Sequence, residues 1–147
     1  VSCNITLPFI CKITSDSPPY TPPPPNGRCN GVGWYFIGQN CYMFFQYRLY
    51  TFLDASFDCN RRGGNLVSIH NETVNMYLVQ MMTNLSSPYA SFWTSLHKSV
   101  DAGFLWIDNT PLQYINWHPG EPSVRGWGGN EENCVEVFLS DGKWNDE

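Results

Sequence analysis

"EPSVRGWGGNEENC" runs from Glu121 to Cys134, and "KWNDE" follows from Lys143 to Glu147. Together these stretches decide how the chain is read. The segment from Trp117 to Glu132 is dense in Gly and Pro and has neither helical nor strand periodicity. A loop that long inside a compact domain usually has a job, or an ion to hold it. Its side chains supply oxygens: Glu121, Ser123 and Glu132, joined by Asn145 and Asp146 beyond Trp144. Carboxylates and carboxamides, with no His or Cys among them, are hard ligands that suit Ca²⁺ better than zinc or copper. Pro122 suits a cis bond after Glu121, aiming the side chains on either side of it at one ion. A solvated acidic loop would use the same residues, and spacing alone leaves both readings open.

Catalysis fits less well. Glu121 and Glu132 resemble a glycosidase carboxyl pair in type, but sharing one small loop with amides suits a cation better than acid–base work. "GWGGNEE" lacks the Lys and Ser/Thr that a phosphate loop needs, and no G-x-S-x-G or H-E-x-x-H pattern occurs. The chain is not expected to be an enzyme.

Outward from the loop, "SFWTSL", "GFLWID", "QYINW" and "CVEVFLSDGKW" read as short β-runs separated by Gly, Pro, Asn and Asp. Ser140-Asp141-Gly142 makes the last turn. Upstream, "TFLDASFDCNRRGGN" reads as a helix capped by Thr51, with Phe52, Ala55, Ser56 and Cys59 on one face and a cationic end at Arg61-Arg62. A short strand "NLVSI" precedes a second helix capped by Asn71, whose Val74, Tyr77, Leu78 and Met81 recur at helical spacing and read as core. "CNGVGWYFIGQNCYMFF" reads as a hairpin, with Cys29 and Cys41 placed to staple it. The fold class is α+β: two helices, short antiparallel strands and one long loop.

Composition bounds the rest. The chain has 147 residues, 16% aromatic and 14% charged, enough apolar mass for one core. A net charge of -5 with eight Lys and Arg argues against nucleic acid. No apolar run is long enough for a transmembrane segment. Six cysteines, none in a C-x-x-C pair, read as disulfides rather than a zinc site. Sequons at Asn4, Asn71 and Asn84 mark candidate glycosylation sites. Paired cysteines and sequons together place the protein outside the cell. "SDSPPYTPPPPNGR", residues 15–28, is a proline-rich spacer that can be neither helix nor central strand.

Several of these motifs carry a family resemblance. "GFLWIDNTPLQYINWHPGEPS", "NEENCVEV" and "DGKWND" resemble the C-type lectin-like domain, particularly repeats of the mannose receptor type. "ASFDCNRRGGNLVSI" resembles that family's first helix and following strand, and "FWTSL" its W-I-G-L core strand. The resemblance covers roughly residues 28 to 146 and is specific, because separate motifs occur in the family's order. It implies the C-type lectin-like fold, a long loop holding Ca²⁺, and a sugar whose vicinal hydroxyls complete the ion's shell. Carried over, the calcium ligands fall on Glu121, Ser123, Glu132, Asn145 and Asp146, and the first four of these also contact the sugar. Ser123 departs from the family's mannose-type E-P-N, where Asn both coordinates and donates an N–H to sugar. Glu121 still resembles the mannose, fucose or N-acetylglucosamine class more than the galactose class, which has Gln-Pro-Asp. Trp127 either packs over the loop or stacks on a sugar ring. Val124 and Asn133 stand where a second calcium would need acids.

The resemblance also implies disulfides: Cys59 with a Cys11, Cys134 with a Cys3, and Cys29 with Cys41. "VSCNITLPFICK" at the start resembles the family's closing segment. Residues 1–14 are therefore expected to be the last strand segment of a preceding, or permuted, domain. Residues 15–27 form the linker, and 28–147 a domain lacking its own last strand. Cys3 and Cys11 are then expected to bond to a neighbouring copy in a tandem array; folding back within one chain is the alternative. Two functions follow. One is an extracellular Ca²⁺-dependent module whose partners are glycans, repeated for multivalency. The other is a structural repeat of an extracellular fibre or matrix protein with degenerate sugar binding.

Overall fold

Aromatic and aliphatic side chains from Asn40 to Tyr50 build the longest strand, β3, which one strand flanks on each side. This computed structural model describes residues 2–14, 29, 32–123 and 133–147. A 3-10 turn at Ser2–Asn4 leads into β1 (Leu7–Ile13), followed by β2 (Tyr35–Ile37) and β3 (Asn40–Tyr50). Then come α1 (Phe52–Arg61), β4 (Asn65–Leu66), α2 (Glu72–Asn84), β5 (Ser91–Ser99), β6 (Gly103–Trp106), β7 (Cys134–Phe138) and β8 (Trp144–Asp146). The strands form one sheet in the order β2-β3-β1-β5-β7-β8, with β4 also on β1 and β6 on β5. All pairings are antiparallel except β1 with β5, which run parallel at Phe9 and Trp93.

The helices start where their caps predict. Thr51 Oγ1 accepts from Asp54 N (3.2 Å), and Asn71 Oδ1 from Val74 N (2.8 Å), each satisfying a first-turn N–H. Three details differ from the sequence reading. Arg61 and Arg62 are not merely a cationic terminus: both pair with the buried Asp58, at 2.6 and 2.9 Å. In α2 the buried face is Asn75, Leu78, Val79 and Met82, while Tyr77 is 44% exposed. The helix is rotated because Asn75 is a core residue, donating to Gly142 O (2.9 Å) and accepting from Trp144 Nε1 (2.9 Å). "QYINW" is not a strand either. Trp117 makes one isolated parallel bridge to Trp144, and the segment is held by Trp144 N to Asn116 O (2.9 Å) and His118 N to Trp144 O (2.8 Å).

Two apolar clusters flank the sheet. One gathers Trp106, Trp144, Phe92 and α2; the other gathers Phe9, Trp93, Ala55 and two disulfides. The disulfides are Cys3–Cys134, Cys11–Cys59 and Cys29–Cys41. The outward bonding expected for Cys3 and Cys11 is thus not what the structure has. β1 lies between β3 and β5 of its own chain, and both cysteines close there. The reason is local: β1 is buried from Pro8 to Lys12, and the gap between β3 and β5 supplies its backbone partners. Asn4, Asn71 and Asn84 are all exposed.

Candidate functional site

Gly142 sets the site's base. Its φ of +73° suits glycine, and a Cβ there would meet Met76 Sδ at 2.7 Å. Its carbonyl accepts from two side-chain amides, Asn75 Nδ2 (2.9 Å) and Asn116 Nδ2 (2.7 Å). One amide comes from α2 and the other from the segment leading into the long loop, so β8 and that loop are pinned to one atom. Lys143 Nζ donates to Asn116 Oδ1 (2.8 Å) and strengthens the join.

Beyond this turn, β8 presents Asn145 and Asp146. Asp146 is buried, and its Oδ1 accepts from Ser123 N at 3.0 Å. Glu121 lies two residues before Ser123, its own N bonded to His118 O (2.9 Å). The Glu121–Pro122 bond is cis. Glu121 Oε2 is enclosed and has no hydrogen-bond partner among the described residues. Four of the five expected ligands, Glu121, Ser123, Asn145 and Asp146, are thereby brought to one end of the sheet. Glu132 lies outside the described residues, as do Val124 and Trp127.

A buried carboxylate oxygen without a donor costs several kcal/mol unless a cation or a proton faces it. Hard oxygens from Glu121, Asn145 and Asp146 fit Ca²⁺ in type, and Ser123 adds a hydroxyl. Among the described residues these side chains form no cluster of three acids, His or Cys, and no nucleophile–base pair.

One residue of the site escapes sequence reading. Glu136, 5% exposed, lies opposite Asn145 on β7, accepts a hydrogen bond from Ser91 Oγ, and accepts from Asn145 Nδ2 at 3.1 Å. Its signal was a lone acid within the apolar run "CVEVF". A second polar group is also buried. Lys12 Nζ donates to Ser68 O (3.1 Å) and Oγ (3.0 Å), and Ser68 Oγ donates to Asp108. Burial lowers the Lys12 pKa, with Asp108 opposing. Burial would raise Asp108, but hydrogen bonds from Ser68 and Thr110, with the Lys12 charge, hold it below the ordinary carboxylate range. His70 beside them is lowered, by burial first and by Lys12 second.

Residues 48–147 match the family described as Lectin C-type domain. The chain belongs to the C-type lectin domain family. Among curated relatives, pulmonary surfactant-associated protein D of Sus scrofa is 40% identical over 96 residues, 65% of this chain and 25% of that protein. C-type mannose receptor 2 of Rattus norvegicus is 31% identical over 160 aligned positions, covering 98% of this chain and 10% of the receptor. The chain therefore spans only a small part of either relative. Among solved structures, the cow C-type carbohydrate-recognition domain of CD23, solved in the presence of a GlcNAc2Man3 oligosaccharide, is 33% identical. It superposes with a TM-score of 0.68, over 82% of this chain and 85% of that one. CEL-I from Cucumaria echinata is 25% identical with a TM-score of 0.73, over 82% and 89%. These C-type lectin neighbours share the two-helix, looped-sheet fold described above.

Proposed function

We propose that this C-type lectin domain is an extracellular, Ca²⁺-dependent carbohydrate-binding module that prefers mannose-, fucose- or N-acetylglucosamine-type sugars. The observation that carries the reading is Glu121 Oε2, enclosed without a donor beside the Ser123–Asp146 contact. Glu121, Ser123, Glu132, Asn145 and Asp146 would hold the ion, which supplies a coordination site for vicinal sugar hydroxyls. The carboxylates accept hydrogen bonds from those hydroxyls, and Trp127 offers an aromatic face. The mannose-type oligosaccharide present with the cow CD23 domain supports the sugar class. Three disulfides and exposed sequons support an extracellular setting. Among the described residues no helix is long and apolar enough to cross a membrane. A tandem array is supported by an alignment that covers 98% of this chain but 10% of a mannose receptor, and by the proline-rich spacer at 15–28.

The second reading, a structural repeat of an extracellular fibre in which the cation stiffens the loop, is favoured by two observations. Ser123 brings no amide donor, and Asn145 Nδ2 is engaged with carboxylates, Glu136 Oε1 at 3.1 Å and Glu147 Oε1 at 3.3 Å. Few N–H groups then remain for a sugar. Calorimetric titration separates the two. Ca²⁺ is added to chelator-treated protein, then mannose, then galactose. Calcium heat in the micromolar-to-millimolar range, followed by calcium-dependent mannose heat, supports the lectin. Calcium heat alone supports the structural repeat, and no calcium heat refutes both cation roles.

A further inference from the structure

Glu136 poses a physical problem. It is a carboxylate 95% removed from solvent, and among the described residues no Lys, Arg or His lies within ion-pair distance of it. Burying such a charge is costly, and a Gln of the same shape would satisfy Ser91 without that cost. A carboxylate differs from an amide in one respect that matters here: it only accepts. Its neighbour across the strand pair is Asn145, whose amide can face either way, N–H₂ or C=O toward Glu136. Facing an acceptor-only group, the amide has one choice.

The structure has it in that state. Asn145 Nδ2 is 3.1 Å from Glu136 Oε1 and 3.3 Å from Glu147 Oε1, so both N–H groups are directed at carboxylates. The carbonyl oxygen Oδ1 accepts no hydrogen bond among the described residues. Ser91 Oγ donates to Glu136 Oε2 and keeps the carboxylate from turning. We infer that Glu136 is a positioning residue: by accepting from Asn145 Nδ2 it locks the amide so that Oδ1 is left for the cation. This rests on the cation reading of the site given above. Glu136 itself touches no ligand in this scheme; it acts through Asn145. A Gln at 136 could donate to Asn145 Oδ1 as readily as accept from Nδ2, and the lock would be lost.

The test uses the 147-residue chain and two readouts. The first is the Asn145 side-chain amide pair by NMR in calcium-free protein, where the lock predicts two distinct, exchange-protected protons. In Glu136→Gln and Glu136→Asp these should move to solvent-like, fast-exchanging values. Gln keeps the shape without the charge, and Asp keeps the charge but withdraws it by one methylene. If neither variant folds, Ser91→Ala, which leaves the carboxylate and removes its support, should move the same resonances. The second readout is Ca²⁺ titration, in which both Glu136 variants should raise Kd on the order of 10-fold. In an Asn145→Ala background, Glu136→Gln should then cost nothing more. Unmoved Asn145 resonances overturn the inference, and so does an equal loss in the Asn145→Ala background, which would mean a through-space charge. A parent chain that gives no calcium heat overturns the proposed function instead; the amide resonances then decide the lock alone.

Discussion

Asp146 is the side chain on which the loop's geometry turns, because its Oδ1 holds Ser123 N while its neighbours line the site. Asp146→Ala removes that acceptor from a buried position, and leaving the amide unsatisfied should cost about 1–3 kcal/mol. Hydrogen exchange at Ser123 should speed up without calcium, and calcium should no longer slow it. Unchanged calcium-dependent protection there would count against the ligand assignment. Glu121→Gln is the gentler probe, keeping shape and losing charge; Ca²⁺ affinity should fall at least about 10-fold, with the calcium-free melting point held or raised. Part of this geometry was legible in the sequence: Glu121, Ser123, Asn145 and Asp146 sit in short motifs of hard oxygen donors, and the structure joins two of them through the Ser123 N–Asp146 bond. Whether they hold an ion is the proposal that these variants test. Glu136 was not legible, since its role comes from a partner one strand away and strand register is not written in a single run of residues. Asp58 was hidden for a similar reason: its burial depends on how α1 meets the sheet.

At the scale of the element, β1 is the strand that completes the sheet. Phe9 is fully buried, stacks on Phe45 at 4.5 Å and Tyr50 at 5.4 Å, and lies opposite Trp93. Phe9→Ala should cost about 3–5 kcal/mol in urea unfolding, a loss far above that of an exposed residue such as Phe57. β1 also carries Lys12 into the Ser68–Asp108 network, with His70 alongside. The pH dependence follows from the direction of each shift. His70 has a folded pKa below its unfolded value of about 6.5, so the unfolded chain takes up a proton first. Its stabilising share is complete above that pH and declines as the pH falls toward the folded value. Asp108, also lowered, keeps its share above the unfolded carboxylate pKa of about 3.9 and loses it on further acidification. The urea midpoint should drop between pH 7.5 and pH 5.5, and the drop should shrink in His70→Phe. Equal drops would remove His70 from the account. The helix starts were readable because Thr51 and Asn71 cap them chemically. The face of α2 was not, because Asn75 looks like a surface residue until Gly142 and Trp144 are seen to satisfy it.

For the whole molecule, the three disulfides enclose very different lengths of chain: 12 residues for Cys29–Cys41, 48 for Cys11–Cys59 and 131 for Cys3–Cys134. Spacing alone did not settle which cysteines pair. The family resemblance implied the partners, and in this structure all three pairs close within one chain, with β1 between β3 and β5. If cross-links act mainly by restricting the unfolded chain, their worth grows with the logarithm of loop length, from about 3 kcal/mol for short loops to nearly 5 for the longest. Paired Cys→Ser variants should then lose stability in the order Cys3/Cys134, Cys11/Cys59, Cys29/Cys41. The Cys11/Cys59 pair carries an added penalty, because both residues are fully buried beside Phe9 and Trp93 and a hydroxyl there has no apolar welcome. Comparing Ser with Ala at those two positions separates the terms: Ala should recover the polar part and leave the chain-entropy part. The same variants test closure within the chain. If Cys3 and Cys11 bond internally, the parent runs as a monomer on a non-reducing gel, and the loss in each variant is independent of protein concentration. A ladder of disulfide-linked species that collapses on reduction would instead place β1 in a neighbouring copy, the same strand gap filled from another chain.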